Sequence, residues 1–572
     1  MACACVAIFA VYLVAGRGGQ AVAGDTAPSG VTPQPLLGEL ADELSYTMKT
    51  LRGPDGVKPY YLAYTVYDEH RSLVSASLGA LMSSDSDRTR GLNIDLRVGD
   101  YKLDNTHQLR GGGASREYGS GNIPLSLADD ATAVRQAVWY HTDRVFKDAL
   151  KRISQINTNL KVKVEEEDQS DDFSREKPCE AFEAPADVVF DADAWEKRVR
   201  RISAIAKEYP LVYDSSVVIG AYAGTRYMVS SEGTRLQTSE TRYRITLTAA
   251  TRADDGMDLT QSADFNAASP EGLPPDQAIE AAFLRVIKQV LALRDAPLAE
   301  PHIGPAILRN RASSVFFHEI FGHRIEGHRQ KDVTEGQTFT KKVGQPVLPE
   351  FISVRDDPTM ARLAGVDLRG FYRFDDEGVP ATAVRLVDRG ILKTFLLSRS
   401  PVEGFPQSNG HGRRQAGHAV VSRQGNLIVE STKQVPFARL RELLVEECVK
   451  QGKPYGLLFE DISGGFTTTN RQGPQSFKVL PIVVYRVYAD GRPDELIRGV
   501  DLVGTPLTAF EKIIQTGDDP DVFNGTCGAE SGWVPVSAIS PSILVSSIEI
   551  EKRQRDQNRP PILDPPVTLV EP

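Results

Sequence analysis

Between Ser313 and His328 the chain reads SSVFFHEIFGHRIEGH, an apolar run of helical character in which a glutamate stands directly after one histidine and four residues ahead of another. His318 and His323 can each offer a metal ion a neutral ring nitrogen, and Glu319 can take a proton from a water held beside them. That is the layout of a zinc hydrolase site. The spacing, however, is His-Glu-x-x-x-His, one residue longer than the usual motif. On an ideal α-helix residues i and i+4 lie about 40° apart and i and i+5 about 140° apart, so two imidazoles on a regular helix would diverge. Two solutions are open: a single π-turn, or a helix that ends near Gly322 and leaves the second histidine on irregular backbone. Gly322, lacking a Cβ, makes either distortion easier. Only nine histidines occur in 572 residues, and two of them flanking a glutamate in an apolar setting point to chemistry rather than chance.

A catalytic zinc ion needs a third protein ligand and a fourth position left open. Far downstream, NGTCGAESGWVPV offers Cys527, where Gly525 and Gly528 would let backbone and thiol approach a neighbouring site closely. Two imidazoles and a thiolate carry the same net charge as two imidazoles and a carboxylate. Spacing alone leaves the assignment open, because a cysteine in a glycine-rich loop is more often inert. Glu326, about 80° from His318 on an ideal helix, reads as an acceptor for an imidazole N–H, with direct ligation as the alternative. His328 follows Gly327 and reads as a surface or cap residue. His411, Arg413, Arg414 and His418 occupy a glycine-rich turn region. Arg414 and His418 are the candidates there for binding a substrate carboxylate or an oxyanion. Asp375, Asp376 and Glu377 precede Gly378 and resemble a hairpin turn more than an acid–base pair.

Five segments occur in an order similar to that of the TldD/PmbA family: HEIFGHRIE at 318–326, FDDEGVP at 374–380, DRGIL at 388–392, GHGRRQ at 410–415 and GTCGAESGWVPV at 525–536. The family comprises metallopeptidases once described as modulators of DNA gyrase. The likeness is close over 305–550, looser over 210–270 and faint before 130. It implies Zn2+ held by His318, His323 and Cys527, with Glu319 as general base. It also implies peptide or unfolded-protein substrates entering as extended segments beside a sheet edge, and a homodimer or a heterodimer with a PmbA-like subunit that lacks the metal motif. This chain has the motif complete and so resembles the catalytic, TldD-type members. A noncatalytic zinc-containing scaffold subunit is the alternative, although a structural site has no need of a base beside its ligand and would be filled by a fourth protein ligand. One departure is GAESGW after Cys527, where a lysine-containing GK-x-GQ run is usual in the family.

The elements that must position these residues follow from periodicity and breakers. LLGELADELSYTMKTL reads as an amphipathic helix, residues 60–125 as alternating antiparallel strands, and about 127–155 as a long helix. VEEEDQSDDFSREKPCEAFEAP then reads as a solvated acidic linker. A helix near 193–208, paired strands over 211–253 turning at Ser231-Glu232-Gly233, and a helix in PPDQAIEAAFLRVIKQVLALRD complete the middle. Strand signals such as KTFLLS, NLIVES and VLPIVVYRVYA dominate beyond 305. The expected class is α+β, with antiparallel sheets in an N-terminal region and a strand-rich C-terminal catalytic domain carrying the metal helix. The expected division is a signal peptide at 1–23, an N-terminal domain at 24–163, the acidic linker at 164–194, a central domain at 195–304, the metallopeptidase domain at 305–553 and a tail at 554–572.

The composition, 41% hydrophobic and 25% charged, is that of a globular enzyme, and no stretch beyond the first residues could span a bilayer. A net charge of −10 and a pI near 5.6 argue against nucleic acid as a partner. Residues 5–15 form a short apolar core followed by the cleavage-type triplet Ala21-Val22-Ala23, so export to the periplasm or medium is expected, or a cytoplasmic protein if the start is misassigned. Beyond this segment only Cys179, Cys448 and Cys527 remain, which excludes a disulfide framework. Cys448 shares an apolar helical stripe with Phe437, Leu440 and Leu444. A Cys179–Cys448 bridge is the one pairing that would spare Cys527.

Overall fold

The computed structural model describes residues 31–108, 120–160, 168–471, 477–504 and 506–553. The expected signal peptide and C-terminal tail lie outside these. Among the described residues the class is α+β.

Two long strands, Pro59–Ser77 and Ala80–Val98, form the hairpin expected in the N-terminal region. The first of them also pairs antiparallel with Asp214–Ser230, which continues to Arg235–Arg252 and Asp258–Ala267. The segments 24–163 and 195–304 therefore share one seven-stranded sheet, to which the stretch between them adds Glu180–Phe182, parallel to residues 235–237. Their alternation follows from one face packing on helices Pro35–Thr50 and Ala131–Leu160, through Leu62, Tyr64, Leu92 and Ile94. Farther along, Val217, Ile219, Ile245 and Leu247 meet helices Ala192–Ser203 and Asp276–Asp295. The alternation after Val98 does not make a strand, because Tyr101–Asn105 turns back so that Gly99 bridges Asp104.

The acidic stretch is not a solvated linker at its centre. Asp172, Phe173 and Ser174 are buried, Phe173 lies between Tyr61 and Tyr101, and the Ser174 N–H donates to Arg399 O at 2.8 Å. Arg97 and Arg399 stack on the Phe173 ring at 3.7 and 3.8 Å. Charge count along the chain cannot reveal arginines supplied from elsewhere, and these make burial tolerable.

The C-terminal region holds two further main sheets. In one, His302–Leu308, Tyr455–Thr467, Phe477–Tyr488, Val500–Gly504 and Ile543–Lys552 pair in turn, and the last pairs back to the first, so the sheet closes on itself. The other has six strands and ends at Asp521–Ala529, whose outer side has no strand neighbour among the described residues. Helix Asn310–Ile320 lies between them, with Phe316, Phe317 and Phe321 buried against Phe510 and Phe339. NLIVES and VLPIVVYRVYA are strands as expected. KTFLLS is not: Leu396 bridges Glu326 instead, and its N–H donates to Ile325 O at 2.9 Å. Its apolar run packs against the loop after the site helix, and apolarity alone does not distinguish that from a strand.

Candidate metal centre

The site helix ends before it reaches His323. It runs from Asn310 to Ile320, and Gly322–Arg324 form a single 3-10 turn. Of the two solutions open to the long spacing, early termination is the one adopted. Arg324 caps the end: its Nη1 donates to Glu319 O at 3.2 Å and Ile320 O at 3.1 Å, satisfying carbonyls the helix has left without partners. Gly322 serves this turn by its lack of volume rather than by a left-handed conformation. A Cβ there would lie 2.0 Å from Gln424 Oε1, and Gln424 is itself buried with its Nε2 donating to His318 O. Gly322→Ala should therefore displace the His318–His323 segment and destabilise the fold by about 1–3 kcal/mol. Urea unfolding reads the loss, and unchanged stability with full metal retention would refute the close-packing argument.

The turn brings together residues that the chain keeps apart. His318 Nε2 is 3.2 Å and His323 Nε2 3.3 Å from Cys527 Sγ, and the three candidate ligand atoms all lie within 4.8 Å of one another. A tetrahedral zinc with ordinary Zn–N and Zn–S lengths would set each nitrogen about 3.5 Å from the sulfur. The donor set fits. Cys527 is carried not on a loop but on the edge strand Asp521–Ala529, opposite Val534. Glu319 Oε2 stands 3.8 Å from His323 Nε2, and all four side chains are buried.

Electrostatics point the same way. Burial pushes the Cys527 thiol up, but His323, His318 and Arg423 outweigh it and hold the thiol well below its ordinary value. Burial likewise drives both histidines down, yet the thiolate beside them raises each above the usual imidazole range. The Cys527 sulfur thus calls for positive charge, which a dication would supply with both imidazoles neutral. Glu319 is pushed up, chiefly by burial.

Glu326 serves His323 rather than His318, since the helix on which the angle was reckoned has ended. Its Oε2 accepts from His323 Nδ1 at 3.3 Å and from Arg329 Nε at 2.8 Å. Burial opposes its charge, but His323, Arg329 and Arg423 bring its carboxyl down to about 2. His328 is buried, not a surface cap, and its Nε2 meets Glu530 Oε1 at 3.0 Å. Sequence reasoning passed over Glu530 and the two arginines around it. Arg329 joins Glu326, Glu335 and Glu530, while Arg423 donates to Cys527 O at 2.7 Å and lies 3.5 Å from Glu326. Arg423 so ties the cysteine strand to the histidine loop, and no local pattern announces such a partner.

A cleft of about 620 Å³ opens over the centre, lined by His318, Glu319, His323 and Cys527 and rimmed by the exposed rings of Phe466 and Trp533. Arg414 and His418 do not line it. Arg414 is buried and bonded to Asp95 and Tyr67 of the N-terminal sheet, and His418 is exposed beside the turn at Gly532. His411 is buried against Asp356, and Arg413 donates to Gln424 O and Pro535 O. Asp375 closes the turn at Gly378, accepting from the Glu377 and Val379 N–H groups, and Asp376 pairs with Arg226 at 2.7 Å. Cys179, Cys448 and Cys527 are all free thiols.

Residues 302–552 match the profile of the PmbA/TldA metallopeptidase C-terminal domain. Among curated relatives, a metalloprotease of Archaeoglobus fulgidus is 29% identical over 42% of this chain and 51% of its own length. A zinc metalloprotease TldD homolog of Saccharolobus solfataricus is 29% identical over 43% and 51%. The matches thus span about half the length of these relatives. The crystal structure of TldE from Thermococcus kodakarensis superposes with a TM-score of 0.58 at 15% identity, covering 90% of this chain and all (100%) of that one, a likeness of fold.

Proposed function

Since the chain belongs to the TldD/PmbA family, we propose that it is a zinc-dependent peptidase acting on peptides or unfolded polypeptides. The observation that carries this reading is the convergence of His318, His323 and Cys527 with a carboxylate beside them in an open cleft. When bound, zinc would supply Lewis-acid activation of a water and of the scissile carbonyl. The chain's own residues do the rest. Glu326 holds the Nδ1 proton of His323, leaving Nε2 free to face Cys527. Glu319 Oε2 takes a proton from the attacking water and delivers it to the leaving amine nitrogen, a role suited to a carboxylate beside the candidate ligands in the cleft. Arg423 fixes the cysteine strand.

An extended substrate has edges to lie against. Among the described residues the outer side of Asp521–Ala529 has no strand neighbour, and Tyr455–Thr467 pairs with His302–Leu308 only through Leu457–Phe459. Two features disfavour the scaffold alternative: a carboxylate beside the candidate ligands, and a group of three candidate ligands rather than four among the described residues. The proposal includes a dimer, with itself or with a PmbA-like subunit, and export after cleavage behind Ala23. Among the described residues no helix is long and apolar enough to cross a membrane.

Metal analysis of purified protein, joined to digestion of an unfolded peptide library before and after chelation, tests the function. Stoichiometric zinc and turnover lost on chelation and regained on reloading are expected. Zinc without turnover, with every copurified partner present, would instead establish the scaffold. Mass-spectrometric reading of the mature N-terminus should find Gly24 first, and a cytosolic protein beginning at Met1 would remove export from the proposal.

A further inference from the structure

Arg311 lies on the site helix seven residues before His318, and both line the cleft. Seven residues are two turns, so the two side chains share a face about 10.5 Å apart along the axis. Arg244, from strand Arg235–Arg252, lines the same cleft from the N-terminal sheet. Neither guanidinium is well satisfied. Arg311 Nε is 3.8 Å from Asp461 and Arg244 Nη2 3.5 Å from Asp264, against about 2.7–2.9 Å for a charge-assisted hydrogen bond. Arg311 Nη1 reaches Val522 O only at 3.5 Å, and Arg244 Nε is buried with no hydrogen-bond partner. Both side chains keep over a third of their surface open, 35% and 38%.

A third arginine stands behind them. Arg369 follows Leu368 on the segment whose Arg369 N–H donates to Asn524 Oδ1 at 3.2 Å, and Asn524 lies in the cleft wall. Its Nη1 is buried without a partner, and burial together with the charges of Arg244 and Arg242 pulls its guanidinium down to about 10. Two carboxylates, Asp264 and Asp461, face these three cations, and burial pushes Asp461 toward its neutral form. Glu240 is engaged by Arg242 at 3.0 Å. Arg244 and Arg311 therefore present N–H donors to the cleft that its own carboxylates satisfy only at long range.

We propose that Arg311 and Arg244, with Arg369 behind the wall at Asn524, form an anion-binding subsite that selects peptides carrying a carboxylate about three residues from the bond cut, extended chain rising about 3.3 Å per residue. The subsite rests on the peptidase reading and specifies its substrate class. The carboxylate is that of an Asp or Glu side chain or of the substrate's own C-terminus, the recognition chemistry being the same.

The test is fluorescence anisotropy on zinc-loaded Glu319→Ala protein, which binds without cutting. The probes are an otherwise uncharged labelled peptide, the same peptide with one glutamate moved along it, and each with a free or amidated C-terminus. At least one carboxylate position should tighten binding about tenfold over its glutamine or amide counterpart, and the preference should fade as ionic strength rises. Preference following the glutamate identifies a side chain as the source, and preference lost on amidation identifies the terminus. Arg311→Gln and Arg244→Gln should each reduce the preference while leaving the uncharged peptide's affinity nearly unchanged. The salt series on the parent protein keeps the test decisive where a variant fails to fold. Equal binding of charged and uncharged probes overturns the subsite alone, whereas no binding of any peptide overturns both the subsite and the peptidase reading.

Discussion

Glu319→Ala should keep its zinc and its fold yet lose at least about 10²-fold of peptide turnover. The carboxylate is buried beside His323 at 3.8 Å, outside the close triad of His318, His323 and Cys527, so its removal leaves the ligand set complete. No side-chain donor is stranded by the change, because the nearest partner, His323, keeps Glu326 on its other nitrogen. Removing a partly desolvated carboxyl can even raise thermal stability slightly, since burial opposes its charge. Zinc content, thermal melting and turnover are compared side by side with wild type. Unchanged turnover would take Glu319 out of the mechanism, and loss of zinc would make it a ligand.

Cys527→Ser should lower zinc occupancy sharply, because a neutral hydroxyl replaces the one anionic donor of the triad. The other two cysteines supply the control. Cys448 packs with Ile307, Leu440 and Leu444, where burial pushes its thiol up to about 11. Cys179 lies against Tyr61, Phe173 and Leu236 in a separate cluster, and its thiol is also raised by burial. Neither offers a thiolate at neutral pH, so Cys179→Ser and Cys448→Ser should retain zinc, whatever Cys448→Ser costs in packing. Equal zinc content in all three variants would mean that the distant cysteine is not a ligand.

The candidate metal-binding histidines were legible from residue types. Imidazoles and a carboxylate in an apolar run announce themselves, and the mismatch between a five-residue spacing and the helical repeat required that the backbone break near Gly322. The α+β class was legible too, because period-2 alternation over much of 214–252 reflects faces that differ in burial. Which break the helix takes was not legible. It is decided by Arg324 folding back on the last carbonyls and by Gln424 closing on Gly322 from a segment about a hundred residues away. Cys527 carried no local sign that it would meet the two histidines, which it does where an edge strand passes the end of the helix with Arg423 holding its carbonyl. Likewise His328 became a buried partner of Glu530, and the acidic stretch around Asp172 found Lys331 and Arg399. A sequence fixes which groups can ionise, ligate or donate and where regular backbone must fail. Whether a buried charge is compensated depends on partners that only the folded chain brings within a few ångströms, and there the tertiary structure alone decided.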